Sequence, residues 1–308
     1  MIGQDHGVVL VDKPAGKSSQ AAVQVIKRAS GARRVGHAGT LDPAATGLLV
    51  IGVGAGTRLL TFLVGLPKTY RAIVRLGVGT DTDDAEGTVT FTPGCGAHVD
   101  VSGAVAQLSG QQLQVPATVS AVKVAGKRAY QRVRDGEDVD LPPRQVTVDE
   151  FRVENQAPTV VDGIPVLDLD IEVAVSSGTY VRALARDLGL AVGSAGHVRQ
   201  LRRTLVGPFR LSDAVALDEW SPRRRLQSLG AVAAEVLPTR IISGDEAWAV
   251  AHGQRIPAEP GPVEKVALLN DDDDLLAVAS IEEGRYRYAM VVPLPAIPAF
   301  SAESGSLG

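Results

Sequence analysis

The sequence predicts an α+β protein that ends in a small β-rich domain, and three observations support this class. Residues 68–92 alternate apolar and polar side chains on both sides of the turn TDTDDAEG, as half-buried strands do. Segments with helical spacing separate the strand-like runs, for example the one that carries Leu184, Leu188 and Leu190. After residue 238 the chain changes to short strand-like runs, LLAVASI and YRYAMVVPL.

The first elements follow from turn and cap residues. GVVLVDKPAG is typical of a short strand that ends in a Pro-Gly turn. Ser18 or Ser19 then caps a helix that ends near SGARR, and its apolar positions are Ala22, Val23, Val25 and Ile26. The stretch GHAGTLDPAATGLLVIGVG predicts a loop followed by a buried strand.

Further along, residues 98–113 have a helical pattern, and PVLDLDIEVAV predicts a strand that leads through a small-residue turn into a helix. A domain boundary is expected near residue 238, with an insert at roughly 115–145 in the first domain, 1–238. The second domain is expected at 239–296 and a disordered tail at 297–308. The acidic run NDDDD is interpreted as a solvated hairpin tip, not a metal site.

Composition excludes several classes of protein. The 308 residues are 45% hydrophobic and 21% charged, which is typical of a soluble globular protein with about two domains. No apolar run approaches the roughly 18 residues of a membrane span, and the N-terminus does not resemble a signal peptide. Cys95 is the single cysteine, which excludes an internal disulfide and a Cys-rich zinc site. A cytoplasmic protein without a membrane partner is expected.

The charge is unevenly distributed along the chain, although the net charge is only −4. Residues 1–75 hold ten Lys and Arg against three Asp and Glu, and residues 176–225 hold nine against four. The segments 76–175 and 226–308 are acidic, with seven against sixteen and five against twelve. Two basic segments that fold together into one positive face would suit a phosphate backbone. Chance clustering of charges on exposed helices is the alternative.

One carboxylate stands in an unusual turn. Pro43 keeps Asp42 out of the helical region, and Gly47 permits an irregular turn just before the apolar strand. A purely structural turn is the alternative for an Asp-Pro pair. The neighbouring GVGAGTR lacks the spacing and the Lys-Ser/Thr of a phosphate loop, so its glycines are interpreted as close-packing and turn residues.

Aromatic and basic residues stand next to each other at two further places. Tyr70 in KTYRA and Tyr180 in GTYVR have basic neighbours in a chain that is only 4% aromatic, which suits base stacking beside phosphates. Core packing is the alternative for each tyrosine alone. The five histidines show no metal-ligand spacing, and His37, in a basic loop, is expected to be exposed. Asp42, Tyr70, Tyr180 and Arg182 together predict a site with one acid, one cation and two stacking platforms.

These motifs resemble the bacterial TruB-type tRNA pseudouridine synthase family over nearly the whole chain. The order and spacing of the segments agree with the family, and the pattern Gly-His-x-Gly-x-Leu-Asp-Pro-x-Ala-x-Gly is specific to it. The resemblance rests on VDKPAGKSS, RVGHAGTLDPAATGLLVIGVGAGTRL, KTYRA, LGVGTDTDDAEG, SAVKVAGKRAYQRVRDGE, SSGTYVRALARDLG and GHVRQLRRTLVGPF.

The resemblance implies a pseudouridine-synthase fold, which is a mixed, mainly antiparallel sheet with flanking helices and an RNA-clamping insert, plus a small β-barrel PUA-like C-terminal domain. It implies isomerisation of uridine 55 in the TΨC loop of tRNA, with the T-arm and elbow of tRNA as partner, no cofactor, no obligatory protein partner and a monomeric state. A tRNA-folding chaperone activity is expected to coexist with the reaction.

The resemblance also implies roles for single residues. Asp42 matches the nucleophile, Arg182 the arginine that pairs with it, and Tyr70 the base-stacking tyrosine. Among the substrate-binding positions, His37 matches the histidine that enters the T-loop, and Tyr180 matches the second pocket tyrosine. Leu201 matches a pocket-wall residue, and Lys13 is given a structural or phosphate-contact role. Whether the nucleophile attacks ribose C1′ or uracil C6 stays open.

Some positions depart from the family pattern, and two other functions stay open. Val115 and Val119 stand where relatives often have prolines and an aromatic, so the RNA contacts of the insert are less defined than the pocket. A synthase for another RNA, such as ribosomal RNA, usually carries Arg-x-Leu-Asp in place of GTLDPAATG. An RNA chaperone without enzymatic activity has no need for a carboxylate that faces a polyanion, so Asp42 distinguishes it from an enzyme.

Overall fold

The computed structural model describes residues 6–117, 141–221, 226–259, 261 and 264–293, together with the backbone of 123–124 and 127–128. Helices α1–α6 span Ser19–Ser30, Gly56–Leu63, Val101–Gln107, Val181–Ala191, Leu229–Ala234 and Gly244–Ala251. Strands β1–β9 span Gly7–Lys13, Val35–His37, Thr46–Val53, Lys68–Leu76, Gly79–Thr80, Val89–Phe91, Gly110–Gln114, Lys123–Val124 and Lys127–Arg128. Strands β10–β18 span Arg144–Val161, Ile164–Val175, Gly196–Val206, Phe209–Arg210, Val215–Ala216, Thr239–Ile241, Val266–Leu269, Leu275–Glu282 and Arg285–Val291.

A ten-stranded sheet organises the larger part of the chain. Its order is β14-β1-β3-β12-β4-β11-β10-β7, with β13 paired to β12 and β2 paired to β3. The pairs β1–β14 and β3–β12 are parallel, and the other pairs are antiparallel. The predicted mixed, mainly antiparallel sheet with helices packed against it is therefore confirmed.

Helix α1 begins and ends where the sequence predicts. The Ser18 hydroxyl accepts a hydrogen bond from the backbone N–H of Ala21, which makes Ser18 the N-cap, and Gly31 ends the helix with φ of 68°. The predicted apolar positions Ala22, Val23 and Ile26 are buried against the sheet. Ser19, the other candidate for the cap, lies inside the helix and makes different contacts.

The glycines of GVGAGTR serve close packing, as predicted. Helix α2 begins at Gly56, where an added Cβ atom would lie 2.1 Å from the carbonyl oxygen of Gly7 on β1. A Cβ on Gly52 would similarly meet the backbone of Gly56 at 2.6 Å. Only glycine lets this helix start so close to the sheet.

The helix predicted over residues 98–113 is only partly correct. Helix α3 covers Val101–Gln107, and the chain then turns at Gly110, with φ of 84°, into strand β7, Gly110–Gln114. Strand β7 pairs with β10 at the edge of the sheet, so tertiary pairing overrides the local helical pattern. The predicted strand PVLDLDIEVAV is confirmed within β11, and its partner β10 reaches it through a turn at Asp162 and Gly163.

The C-terminal part is a four-stranded sheet in the order β15-β16-β17-β18 with helix α6 packed against it. The acidic run lies at the exposed turn between β16 and β17, so the predicted hairpin tip is confirmed. The four strands do not close into a barrel among the described residues, and the PUA-like assignment is not confirmed. The predicted tail, 297–308, and most of the predicted insert, including Val119, lie outside the described residues.

One hydrophobic core joins the two sheets. Leu59 and Leu63 of α2 belong to the same buried cluster as Val8 of β1 and as Leu268 and Val278 of the C-terminal sheet. A second cluster lies on the opposite part of the large sheet, under α3 and α4. The described helices include none that is long and apolar enough to cross a membrane.

Candidate active site

The loop between β2 and β3 carries Asp42, and buried polar side chains hold its backbone. The Ser19 hydroxyl accepts a hydrogen bond from the Leu41 N–H at 2.8 Å and donates one to the Leu41 carbonyl at 2.9 Å. On the other side of the aspartate, the Pro43 carbonyl accepts a hydrogen bond from the Gly16 N–H at 2.9 Å. The residues on both sides of Asp42 are therefore tied to other parts of the fold.

Two buried cations add to this support. The Arg203 side chain donates to the carbonyls of Leu48, Gly39 and Thr40, and its side chain is almost fully buried. Lys13 donates to the carbonyls of Pro14, Lys17 and Pro43 at 2.9, 2.6 and 3.3 Å, respectively. Because every one of these acceptors is a backbone carbonyl, both cations fix the path of the chain around the aspartate.

Gly47 brings the Asp42 loop close to β12. Its φ is 102°, and a Cβ atom there would lie 2.3 Å from the Arg203 carbonyl oxygen. Only glycine satisfies both conditions. The sharp turn expected from the sequence is therefore needed for β3 to pair in parallel with β12.

Arg182 pairs with the aspartate from the first turn of α4. Its Nη2 atom lies 3.0 Å from Asp42 Oδ2, and its side chain is 6% exposed against 42% for the aspartate. The opposite nitrogen, Nη1, donates to the Thr82 carbonyl at 2.9 Å and lies 3.3 Å from Asp84 Oδ2. The guanidinium is thus anchored on its buried side and presents its other face to an accessible carboxylate.

A cavity of about 230 Å³ opens beside this ion pair. Tyr70 reaches it from β4, where it is 9% exposed, and Tyr180 reaches it from the residue that precedes α4. Leu201 of β12 forms part of the wall. The complete lining is Gly39, Thr40, Leu41, Asp42, Val64, Lys68, Tyr70, Ser176, Ser177, Gly178, Thr179, Tyr180, Val181, Arg182, Leu201 and Arg203.

Five of the seven residues singled out in the sequence therefore meet in one place, although the segments that supply them are far apart in the chain. The other two do not line the cavity. His37 lies on strand β2 and is half-buried, so the expectation of an exposed loop histidine is wrong. Lys13 is fully buried, and its carbonyl partners favour the structural one of its two predicted roles over contact with a phosphate.

Sequence reasoning missed Lys68, which also lines the cavity. Its amine donates to the Val64 carbonyl at 2.6 Å and to the Ser177 hydroxyl at 3.2 Å. Burial, together with the positive charge of Arg203, lowers the pKa of Lys68 from 10.5 to about 8. Its place in KTYRA, two residues before Tyr70 and thus on the same face of the strand, could have indicated it.

Gln114, at the end of β7, is a second residue that the sequence analysis missed. Its buried amide accepts a hydrogen bond from the Tyr180 N–H at 2.9 Å and donates one to the Tyr180 carbonyl at 3.2 Å. It thereby fixes the backbone just before α4. A glutamine at the start of a predicted insert carries no local signal for such a contact.

A second ion-pair network lies beside Arg182. Arg186 Nη1 lies 3.1 Å from Asp83 Oδ2, and Arg186 Nη2 lies 2.9 Å from Asp187 Oδ1. Arg186 also donates to the Val115 carbonyl, at the beginning of the predicted insert. Burial raises the pKa of Asp83 to about 6, although the two nearby arginines oppose the shift.

The two basic segments do meet in the fold, because β12 lies between β3 and β4. Arg71, Arg199 and Arg202 line a second cavity of about 830 Å³ that also contains Leu201. Each of these arginines pairs with a carboxylate, however, at 2.8, 2.7 and 2.6 Å, respectively. The groove beside the candidate site thus has mixed charge and not the uniform positive charge expected from the sequence.

Comparison with known proteins identifies the family. Residues 27–181 match the family described as TruB family pseudouridylate synthase (N terminal domain), and residues 182–225 match the tRNA pseudouridylate synthase B C-terminal domain. A tRNA pseudouridine synthase B from Arthrobacter sp. (strain FB24) is 48% identical over 257 residues, which are 83% of each chain. One from Mycobacterium ulcerans (strain Agy99) is 42% identical over 298 residues, 96% of this chain and 97% of its own.

Solved structures agree on the fold. A chain of the crystal structure of a Cbf5-Nop10-Gar1 complex superimposes with a TM-score of 0.68 at 24% sequence identity, and the match covers 94% of this chain and 86% of that chain. At this identity the likeness shows a shared fold alone. The sequence matches, at 42–50% identity over most of the chain, go further, and they show that this chain is an enzyme that belongs to the TruB family of pseudouridylate synthases.

Proposed function

We propose that the enzyme converts uridine 55 in the TΨC loop of tRNA to pseudouridine, with Asp42 as the nucleophile. The observation that carries this proposal is the 3.0 Å ion pair between Asp42 and Arg182 in a cavity that Tyr70 and Tyr180 also line. The names of the relatives, tRNA pseudouridine synthase B, supply the substrate class. The specific signature around the aspartate favours tRNA over ribosomal RNA.

The target base must leave its stack before it can enter the cavity, because a folded loop hides its glycosidic bond. Base stacking on an aromatic side chain contributes about 1–3 kcal/mol, which partly offsets the cost of unstacking. Tyr70 is held in β4 between β11 and β12, so its ring needs little ordering when the base arrives. In this proposal Tyr70 is the stacking platform, and Tyr180 and Leu201 complete the pocket.

The reaction replaces the N1–C1′ bond between uracil and ribose with a C5–C1′ bond. Asp42 attacks ribose C1′ or uracil C6, and Arg182 orients the carboxylate from its buried anchor on Thr82 and Asp84. The N1–C1′ bond breaks, uracil rotates in the cavity and C5 bonds to C1′, and the bond between the Asp42 carboxylate and C1′ or C6 breaks, which frees the enzyme. Loss of the C5 proton then restores the conjugated ring. The isomerisation is redox-neutral and transfers no phosphoryl group, so the proposal includes no cofactor.

The remaining predicted residues receive supporting roles. His37 is the last residue of β2, directly before the loop that carries Asp42. We assign it to contact with the T-loop of the tRNA when bases flip out. Lys13 is assigned to holding that loop through the Pro43 carbonyl. Both assignments rest on position and on the family resemblance.

The decisive experiment measures tritium release from a tRNA transcript labelled at uridine C5. The wild-type enzyme should release one equivalent per tRNA, and Asp42→Asn should release none while still binding the transcript. A transcript with cytidine at position 55 is the matched substrate control, and ribosomal RNA transcripts test the alternative substrate class. Release from the cytidine-55 transcript, or release by Asp42→Asn, would refute the assignment.

A tRNA-folding chaperone activity is a second function that the same protein could carry. Arg33, Arg34 and Arg58 are exposed and line a groove of about 480 Å³ away from the catalytic cavity, which suits contact with a phosphate backbone. Opening the tRNA elbow to flip a base also lets the RNA refold. Asp42→Asn should therefore still accelerate refolding of a misfolded transcript, and loss of that acceleration would refute a separate chaperone function.

The cellular setting completes the proposal. We expect a cytoplasmic monomer that acts on tRNA without an obligatory protein partner, and a C-terminal sheet that contributes to RNA binding as a PUA-like unit. Sedimentation of the enzyme with and without tRNA tests the monomer. Loss of tRNA affinity on charge reversal at exposed positions of β18 tests the RNA-binding role of the sheet.

A further inference from the structure

A short turn, residues 176–180, forms the wall of the cavity that carries Tyr180. The turn leads from β11 into α4, and all five of its residues line the cavity. At its start, the Ser176 N–H donates to the Thr147 carbonyl of β10 at 2.9 Å, and the Ser176 hydroxyl accepts from the Thr147 N–H at 2.9 Å. One end of the turn is therefore fixed to the edge of the large sheet.

Gln114 of β7 holds the other end of the turn. Its Oε1 atom accepts a hydrogen bond from the Tyr180 N–H at 2.9 Å, and its Nε2 atom donates to the Tyr180 carbonyl at 3.2 Å. Gln114 is 1% exposed, so water does not compete for either contact. Because both ends of the amide are engaged by one residue, the two bonds fix the orientation of the Tyr180 backbone as well as its distance from β7.

The end of β7 is itself fixed from two sides. Gln114 pairs with Arg144 of β10 in the register of the large sheet. The carbonyl of the next residue, Val115, accepts a hydrogen bond from Arg186 Nη2 at 2.8 Å, and Arg186 lies on α4. The sheet and the helix thus hold the end of β7 in place, so it can serve as a fixed point for Tyr180.

The other pocket residue of α4, Arg182, has anchors of its own. Its Nη1 atom donates to a backbone carbonyl at 2.9 Å and lies 3.3 Å from Asp84 Oδ2, both in the turn between β5 and β6. These contacts hold the ion pair between Arg182 and Asp42 without Gln114. Loss of the Gln114 amide should therefore displace Tyr180 and leave that ion pair in place.

We propose that Gln114 is a positioning residue of the reaction, which sets the place of Tyr180 in the cavity through two hydrogen bonds to its backbone. Gln114 acts through Tyr180 and does not line the cavity itself. It is also the last residue before the predicted insert, 115–145, so it ties this wall of the pocket to the root of the insert. The inference rests on the proposed function, because it assigns Tyr180 to the pocket that holds the flipped base.

The test compares Gln114→Met with wild type in single-turnover conversion of tRNA, with circular dichroism to show that the variant is folded. Methionine nearly keeps the length of the side chain and removes both hydrogen bonds. A displacement of about 1 Å can lower a rate by about 100-fold, so the rate should fall by about 10- to 100-fold while tRNA affinity stays within about threefold. Gln114→Asn, whose amide is one carbon shorter, repeats the test if the methionine variant does not fold.

Gln112→Met is the matched control on the same face of β7, two residues earlier. The Gln112 amide donates to the Leu108 carbonyl at 2.8 Å, at the end of α3, and Gln112 does not line the cavity. This variant also loses a hydrogen bond of the strand, but it should convert tRNA at the wild-type rate. A loss of stability alone would therefore act on both variants, whereas a positioning role acts on Gln114 alone.

A double-mutant cycle with Tyr180→Leu shows whether Gln114 acts through the tyrosine ring. Gln114→Met should slow the Tyr180→Leu enzyme by no more than about twofold, because the ring that Gln114 positions is already gone. A double variant slowed by the product of the two single losses would overturn the inference. Wild-type rates in Tyr180→Leu or in the folded Gln114 variants would overturn it as well, and so would an equal loss of rate in Gln112→Met. If wild type itself released no tritium from C5, the proposed function would fail instead.

Discussion

The two hydrogen bonds of Ser19 give a direct test of how the catalytic loop is held. Ser19 is 1% exposed, and Ser19→Ala removes the hydroxyl that pairs with both the N–H and the carbonyl of Leu41, next to Asp42. A buried polar group that loses its partner costs about 1–3 kcal/mol. Two such groups predict a loss of about 2–6 kcal/mol in the free energy of unfolding, or roughly 3–9 °C in Tm for a chain of this length.

The same change should affect catalysis through the position of the nucleophile. A displacement of about 1 Å at a reacting group lowers a rate by about 100-fold, so we expect the single-turnover rate of Ser19→Ala to fall by about 10- to 100-fold with tRNA affinity nearly unchanged. Thermal unfolding followed by circular dichroism, together with rapid-quench conversion of labelled tRNA, measures both effects.

The neighbouring Ser18 provides the matched control. Its hydroxyl caps α1 through the Ala21 N–H and is exposed, so Ser18→Ala should cost about 1 kcal/mol of stability and leave the rate unchanged. The reasoning is refuted if the two alanine variants are equally stable and equally active. It is also refuted if Ser19→Ala loses stability but converts tRNA at the wild-type rate, because the loop would then hold Asp42 without this contact.

Three further predictions follow from the site. Tyr70→Leu removes the stacking surface, so conversion should slow by about 5- to 150-fold, the equivalent of about 1–3 kcal/mol, and near-normal single-turnover rates would contradict the stacking role. Gly47→Ala places a methyl 2.3 Å from the Arg203 carbonyl at a φ of 102°, so urea unfolding should show a loss of about 3 kcal/mol or more, and a loss below about 1 kcal/mol would contradict the close approach. Burial lowers the pKa of Lys13 from 10.5 to about 8, so the native state binds fewer protons than the unfolded chain between these two pH values. The free energy of unfolding should therefore rise with pH over this window more steeply in wild type than in Lys13→Met. Equal slopes would contradict the lowered pKa of Lys13.

Local signals in the sequence were sufficient for elements whose stability is local. The Ser18 cap, the glycine at the end of α1 and the alternation in β4 depend on neighbours within a few residues, and each is confirmed. The helix predicted over residues 98–113 was wrong beyond Gln107 because β7 forms through its pairing with β10, 30 to 38 residues away, and not through its own spacing. Residue chemistry grouped Asp42, Tyr70, Tyr180 and Arg182 into one predicted site, and the family resemblance added Leu201.

The supporting residues escaped prediction for a related reason. Arg203 donates to carbonyls more than 150 residues earlier in the chain, and Gln114 holds the backbone of Tyr180 across 66 residues. Every residue has a backbone carbonyl, so the sequence does not mark which carbonyls a buried side chain will contact. Lys68 was not predicted because a lysine beside a tyrosine is normally solvated, whereas here it is buried.

The core that joins the two sheets through α2 has a mechanical consequence. Because Leu59 and Leu63 pack in one cluster with both Val8 and the strands of the C-terminal sheet, a hinge between the two parts would have to expose apolar surface. The two sheets should therefore unfold in a single thermal transition, and cleavage of the chain near residue 238 should yield fragments that aggregate. An RNA that binds to both sheets would have to hold its two contact regions at a fixed distance from each other. The protein would therefore select RNAs by that distance before it recognises any base.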